Sequence, residues 1–231
     1  MPRETAVEAE VKKFVEKGIQ NIRELSAEEL VHDAAINPFL VRALGIDDFD
    51  SLARFYVYQR VGRSLVTSFG TVIENMVRAL SGGEKAIWWD VKVKLGDAPY
   101  YMSVKSGPRD MDKDQVQHFA RMARELMQKE PDAVPIIAMG YGKEPLGPIV
   151  HTLRMEGLDP ARHTLTGKKL YETVTGQNDY HKRLLDLTSG VALRALGGKR
   201  IIQIIEDKAK EIAQDFKKRY KAVDDLLLDT F

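Results

Sequence analysis

Cysteine is absent from this chain of 231 residues. That excludes disulfides, thiolate metal sites and a cysteine nucleophile together. No apolar run reaches the roughly 18 residues of a membrane-spanning helix, and the opening MPRETAVEAEVKKF has no apolar centre of the secretory kind. The expected setting is therefore intracellular and cytoplasmic, with no membrane partner. A dominant charge is missing as well: 35 Lys and Arg face 34 Asp and Glu, for a formal net charge of +1. Modules that simply coat phosphates are usually more basic. A nuclease is not excluded, because carboxylates gathered for a metal offset phosphate-binding lysines and arginines. Aromatics are modest at 8%, while 44% hydrophobic and 30% charged residues describe an ordinary globular protein.

What is present falls into three stretches. In the first, Val7, Val11, Phe14, Val15, Ile19, Ile22 and Leu25 recur at helical spacing from Thr5 to Leu25. Ser26 followed by Glu29 forms a capping-box pattern opening AEELVHDAA. Asp50 is the expected cap of a long helix from Ser51 to Leu80, which Gly70 can interrupt. In the middle, AIWWDVKVKL and YYMSVK alternate and carry β-branched and aromatic residues, so a hairpin with a Gly96–Pro99 loop is predicted. A helix over DKDQVQHFARMARELMQK and a buried strand at AVPIIAMGYG follow. The rest reads as helices: a short one over Pro148–Met155, GKKLYETVTG, DYHKRLLDLTSGVALRAL, and a last one from Arg200 to Leu228. Strand, strand, helix, strand argues for a mixed sheet with helices packed on it.

A symmetric four-residue loop sets Lys105 opposite Asp90 and Lys92 opposite Ser103. Asp90, Lys92, Ser103 and Lys105 then share one face, and Trp89, Val91, Val93, Met102 and Val104 the other. A lysine at a strand end is commonly a solvated rim charge, and Asp90 with Lys105 can be a mere cross-strand ion pair. Together they are also tools for phosphodiester hydrolysis. A carboxylate holds a hard cation such as Mg²⁺, and a lysine orients the attacking water and stabilises growing negative charge.

These residues resemble a family. Asp90, a hairpin, then Ser103-Val104-Lys105 looks like the PD-(D/E)XK nuclease motif with serine in place of its second acid. VKSGPRDMDKDQ, with SFGTVIENMV upstream and GKKLYETVTGQNDYHKRLLDL downstream, resembles a group of type II restriction endonucleases over about residues 65–190. The resemblance implies an α/β mixed-sheet PD-(D/E)XK core with an N-terminal helical region and C-terminal helices. It implies one nuclease domain over residues 1–231: helical to 64, catalytic over 65–145, and a helical layer over 146–231. It implies Mg²⁺-dependent, sequence-specific cleavage of double-stranded DNA to 5′-phosphate ends. A homodimer and a cognate DNA methyltransferase are the expected partners.

Residue by residue, the resemblance makes Asp90 the metal-binding aspartate and Lys105 the catalytic lysine. Glu74 becomes a second acid presented by the upstream helix, and Val104 a metal ligand through its carbonyl. Arg109, Lys113, Gln115 and Gln117 are candidate DNA contacts, since arginine and glutamine can read base edges; polar residues opening an exposed helix are the plainer alternative. Arg60 and Arg63 are further phosphate candidates, and Asp110, Asp112 and Asp114 are acids in reserve. Two other readings stay open at this point: a structure-selective repair or junction-resolving nuclease of the same fold, and a non-enzymatic DNA-binding module.

Overall fold

A computed structural model describes residues 2–32 and 36–231. Helices α1 (Pro2–Glu24), α2 (Ala27–His32), α3 (Pro38–Ala43) and α4 (Phe49–Ser81) come first, followed by strands β1 (Glu84–Ala86), β2 (Trp89–Leu95) and β3 (Ala98–Lys105). Helix α5 (Lys113–Lys129), β4 (Val134–Met139), α6 (Gly147–Met155), α7 (Pro160–His163) and β5 (Thr164–Thr166) continue the chain. Helices α8 (Lys168–Thr175), α9 (Tyr180–Ala195), α10 (Ile201–Arg219) and α11 (Val223–Leu228) end it. The chain divides into two compact units, Met1–Val11 with Phe69–Gly190 and Lys12–Ser68 with Val191–Phe231. No helix of the described residues is long and apolar enough to cross a membrane.

The second of these units is helical. Its core gathers Ile22, Leu30, Leu52, Tyr56, Ile212 and Phe216 among others. Ser26 does open α2, accepting a hydrogen bond from the Glu29 N–H at 3.1 Å; residues 33–35 of the expected helix lie outside the described residues. The cap of α4 is Asp48, not Asp50: its carboxylate accepts from the Ser51 N–H at 2.8 Å. Asp50 falls in the first turn instead and pairs with Lys217 at 2.5 Å. The predicted final helix is two, because the extended backbone at Tyr220 and Ala222 stops α10 and restarts the chain as α11.

The first unit holds a five-stranded mixed sheet in the order β1-β2-β3-β4-β5. β1, β2 and β3 pair antiparallel, while β3, β4 and β5 run parallel. This is the expected α/β architecture, and the sequence reading lacked only its two outer strands. β1 and β5 have three residues each, too few for an alternating pattern to register. One side of the sheet packs Tyr101, Ile137 and Met139 under Val116, Phe119, Ala120 and Ala123 of α5. On the other, Val91, Met102 and Ala138 are fully buried. Helix α4 runs unbroken through Gly70, whose missing side chain brings the helix close to Ser106: an added Cβ would lie 3.4 Å from the Ser106 Oγ.

Candidate active site

The hairpin turn is tighter than its sequence suggests. Gly96, at φ +62°, and Asp97 alone connect the strands, with Leu95 paired to Ala98 and Lys92 to Tyr101. The register is thus shifted by two from the symmetric four-residue loop, and Lys105 does not stand opposite Asp90. A shift of two preserves the side-chain face, whereas a shift of one would invert it. Ladder pairing ends at Val91 and Met102. Continuing it one position sets Asp90 across from Ser103, with Lys105 one step further along the same face.

Trp89 departs from the expected face. Its ring packs edge-on against Tyr101 and Phe119, each at 5.8 Å between centroids. The pleat is disturbed at this end of β2: the β1–β2 register is irregular, and Trp88 has φ +69°. Strict alternation therefore fails at the first residue of the strand.

Where the ladder stops, a side chain takes over. Asp90 Oδ2 accepts a hydrogen bond from the Val104 N–H at 2.7 Å. On the far side of β3 the Lys105 carbonyl accepts from the Gly140 N–H at 2.9 Å. Successive peptide groups in a strand point to opposite neighbours, so the Val104 carbonyl turns toward β2 along with its N–H. Carboxylate and carbonyl thus stand at one strand end. Among the described residues, Asp90 Oδ1 makes no hydrogen bond.

The Lys105 side chain is partly buried, and its ammonium makes no hydrogen bond or ion pair among the described residues. The plain alternative, a cross-strand Asp90–Lys105 ion pair, is not formed. Lys92 behaves differently: its ammonium lies over the Tyr101 ring at 4.8 Å, and hydrogen bonding to Tyr101 raises its pKa. One lysine on this face is occupied and the other is available.

Helix α4 brings Glu74 to the same end of the sheet. Gly70 faces Ser106, and Ile73 packs so closely on Gly140 that a Cβ there would lie 2.6 Å from its Cγ2. Glu74 is one helical turn beyond Gly70 and shares its face. Its side chain is 23% exposed and meets Arg78 at 3.4 Å. Arg78 also hydrogen-bonds Asn75, whose amide donates to Glu10 at 2.6 Å. At the strand end itself stand the Asp90 carboxylate, the Val104 carbonyl and the Ser103 hydroxyl, oxygen donors of the kind a hard cation takes, with the Lys105 ammonium beside them. No cluster of three or more His, Asp or Glu arranged for a metal occurs among the described residues.

The loop after Lys105 is held from three directions. The Gly107 N–H donates to Asp110 at 2.8 Å, and Asp112 caps α5 by accepting from the Gln115 N–H at 2.8 Å. The Tyr141 ring occupies the space a Gly107 side chain would need, with a Cβ 2.2 Å from its Cζ. Arg109 in this loop and Lys113 and Gln115 on α5 are exposed, and Gln117 is partly so. Arg60 and Arg63 lie in the helical unit on a cleft of about 460 Å³, where Arg60 pairs with Glu29. Sequence reasoning missed Gly140 and Tyr141, although a glycine directly after a buried strand was the available signal.

A search of curated proteins finds no match. A family model described as type II restriction endonuclease EcoO109I matches residues 3–192, most of the chain and all of the sheet. The chain belongs to this family of type II restriction endonucleases and is a site-specific deoxyribonuclease.

Proposed function

We propose that this endonuclease cleaves double-stranded DNA with Mg²⁺ at the β2–β3 strand ends and leaves 5′-phosphate and 3′-hydroxyl termini. The observation that carries the reading is the Asp90–Val104 hydrogen bond beside an unpaired Lys105. The fit to a cation rests on donor chemistry: Asp90 Oδ1 and Glu74 Oε2 have no partner among the described residues, and every donor is oxygen. Asp90, Glu74 and the Val104 carbonyl would hold Mg²⁺, with water and phosphate oxygens completing its shell. When bound, the cation polarises the phosphoryl oxygens and stabilises the charge they gain.

The remaining work falls to the chain. Lys105 hydrogen-bonds the attacking water, aligns it with phosphorus, and offsets the negative charge that grows as the 3′ oxygen is displaced. The new P–O bond forms as the bond to the 3′ oxygen breaks, so the phosphate stays on the 5′ side. Arg109 lies in the loop that follows Lys105, and Lys113, Gln115 and Gln117 in the first turns of α5; in this reading they contact DNA. A palindromic site requires two-fold symmetry, which a homodimer supplies. A cognate methyltransferase would shield host copies of the site.

Digestion of a plasmid of known sequence tests this directly. Discrete fragments with phosphorylated 5′ ends are expected in Mg²⁺, and none in excess EDTA. Cleavage that persists in EDTA, or ends bearing 3′-phosphate, would overturn the proposed chemistry.

A further inference from the structure

Two residues upstream of Asp90 the chain adopts a conformation that its own packing does not repay. β1 and β2 are joined through Ile87 and Trp88, with Ala86 paired to Trp89. Both turn side chains lie in water, Ile87 81% and Trp88 77% exposed. Trp88 also has φ +69°, a left-handed conformation that turns ordinarily fill with glycine or asparagine and that strains a bulky residue. Such strain persists where surrounding structure or function requires it. Here the neighbour Trp89 takes the buried place beside Tyr101 and Phe119, while Trp88 is left outside.

Covalent geometry ties this tip to the site. Consecutive Cα atoms are 3.8 Å apart, so the Trp88 Cα lies no more than about 7.6 Å from that of Asp90. DNA whose phosphate meets Asp90 must pass close to the indole. Lys85, on the β1 arm three residues before Trp88, is exposed as well. Exposed apolar side chains beside a lysine suit a DNA groove, where wedges of this type press against or between base pairs.

We infer that Ile87 and Trp88 form an apolar wedge that enters a groove of the bound duplex and packs on the base step beside the scissile phosphate. This rests on the assignment of Asp90 to the catalytic centre. The wedge positions DNA and touches bases, not reacting atoms.

The protein has two tryptophans, so fluorescence separates them: acrylamide quenches exposed Trp88 and spares buried Trp89. A duplex carrying the mapped cleavage site is titrated into wild type and Trp88→Phe with Ca²⁺ in place of Mg²⁺. Quenching should fall on binding in wild type and stay unchanged in the variant. Trp88→Ala should weaken duplex affinity about tenfold, the scale of one lost stacking contact. Its dependence on salt should match wild type, since no charge is removed. Trp88 remaining as quenchable in the complex as in free protein overturns the inference. So does protection of Trp88 in the free wild-type protein that is lost on dilution from dimer to monomer, which assigns the tip to a subunit contact. Asp90→Ala separates the two readings: normal cleavage by that variant removes the Asp90 assignment alone, and an unprotected Trp88 with inactive Asp90→Ala removes the wedge alone.

Discussion

Asp90 and Val104 are joined by a 2.7 Å hydrogen bond from the Val104 N–H to the Asp90 carboxylate, at the point where the β2–β3 ladder has ended. A carboxylate there does what a backbone carbonyl would do one residue earlier in the sheet. It satisfies a buried donor and fixes the end of β3, from which Lys105 projects. Its second oxygen stays available. In the proposed mechanism, the structural and catalytic duties of Asp90 thus fall on different oxygens of one side chain.

Those duties can be separated by substitution. Asp90→Asn keeps an acceptor for the Val104 N–H and loses the charge, so thermal stability should stay near wild type while Mg²⁺-dependent cleavage disappears. Asp90→Ala should lose cleavage too, and in addition about 1–3 kcal/mol of stability from the unsatisfied buried donor. Denaturant melts of both variants check this. Equal stability of the two would mean the hydrogen bond contributes nothing.

Lys105→Ala removes a group with no structural partner among the described residues. Folding and duplex binding should therefore survive. The single-turnover cleavage rate should fall at least about a hundredfold, the loss expected for one charged electrostatic catalyst. A variant cutting at the wild-type rate would remove Lys105 from the chemistry.

The long periodic elements and the strand pair were legible in the sequence because each buries one repeating face. α1, α4 and α5 are of this kind, while β4 was legible as a continuous apolar run, buried on both faces. So was the shared face of Asp90, Ser103 and Lys105, which survives the register error because both registers differ by two. The register itself was not legible, since Gly96-Asp97 closes a tighter turn than Gly96–Pro99 and only geometry distinguishes them. Trp89 was misplaced because the strain at Trp88 breaks the alternation that pattern reading assumes. The approach of α4 to β3 was hidden as well: Gly70 reads as a helix breaker, and its use in close packing on Ser106 appears only in three dimensions.

Two glycines near the site should tolerate alanine differently. In Gly140→Ala the new Cβ would meet the Ile73 Cγ2 at 2.6 Å and the Ser106 carbonyl oxygen at 3.0 Å. Ile73 is 5% exposed and cannot move aside, so a loss of about 1–3 kcal/mol is expected. Gly107→Ala meets the Tyr141 ring at 2.2 Å, a closer clash on paper. Tyr141 is 57% exposed and can swing into solvent, so this variant should melt close to wild type. The reverse order of melting temperatures would contradict the packing described.

Burial pushes the Tyr171 hydroxyl up to about 12 from an ordinary 10.0. The neutral form is the one the folded state favours. Stability linked to Tyr171 is complete below about pH 10 and is lost as pH rises from there toward about 12, where the folded protein holds a proton that the unfolded chain has released. Tyr171→Phe cannot ionise and should show a shallower decline in melting temperature across that window. Superimposable alkaline profiles would show that Tyr171 titrates normally.

Glu74 is the acid asked to stand in for the one missing at Ser103. A single aspartate holds Mg²⁺ weakly beside the phosphate, and a serine hydroxyl brings no charge. Glu74 lies on the Gly70 face of α4, the face that meets Ser106, and its side chain is only 23% exposed. Its contact with Arg78, at 3.4 Å, engages one oxygen. Glu74→Gln keeps the shape and an acceptor for Arg78 while removing the charge. The Mg²⁺ concentration for half-maximal cleavage should therefore rise several-fold or more, with duplex affinity little changed. Ser103→Ala should shift the same midpoint far less, because a neutral hydroxyl is the weaker ligand. An unchanged Mg²⁺ dependence in Glu74→Gln would turn attention to the acids after β3. There Asp110 and Asp112 already accept hydrogen bonds from Gly107 and Gln115, which makes Asp114 the next carboxylate to test.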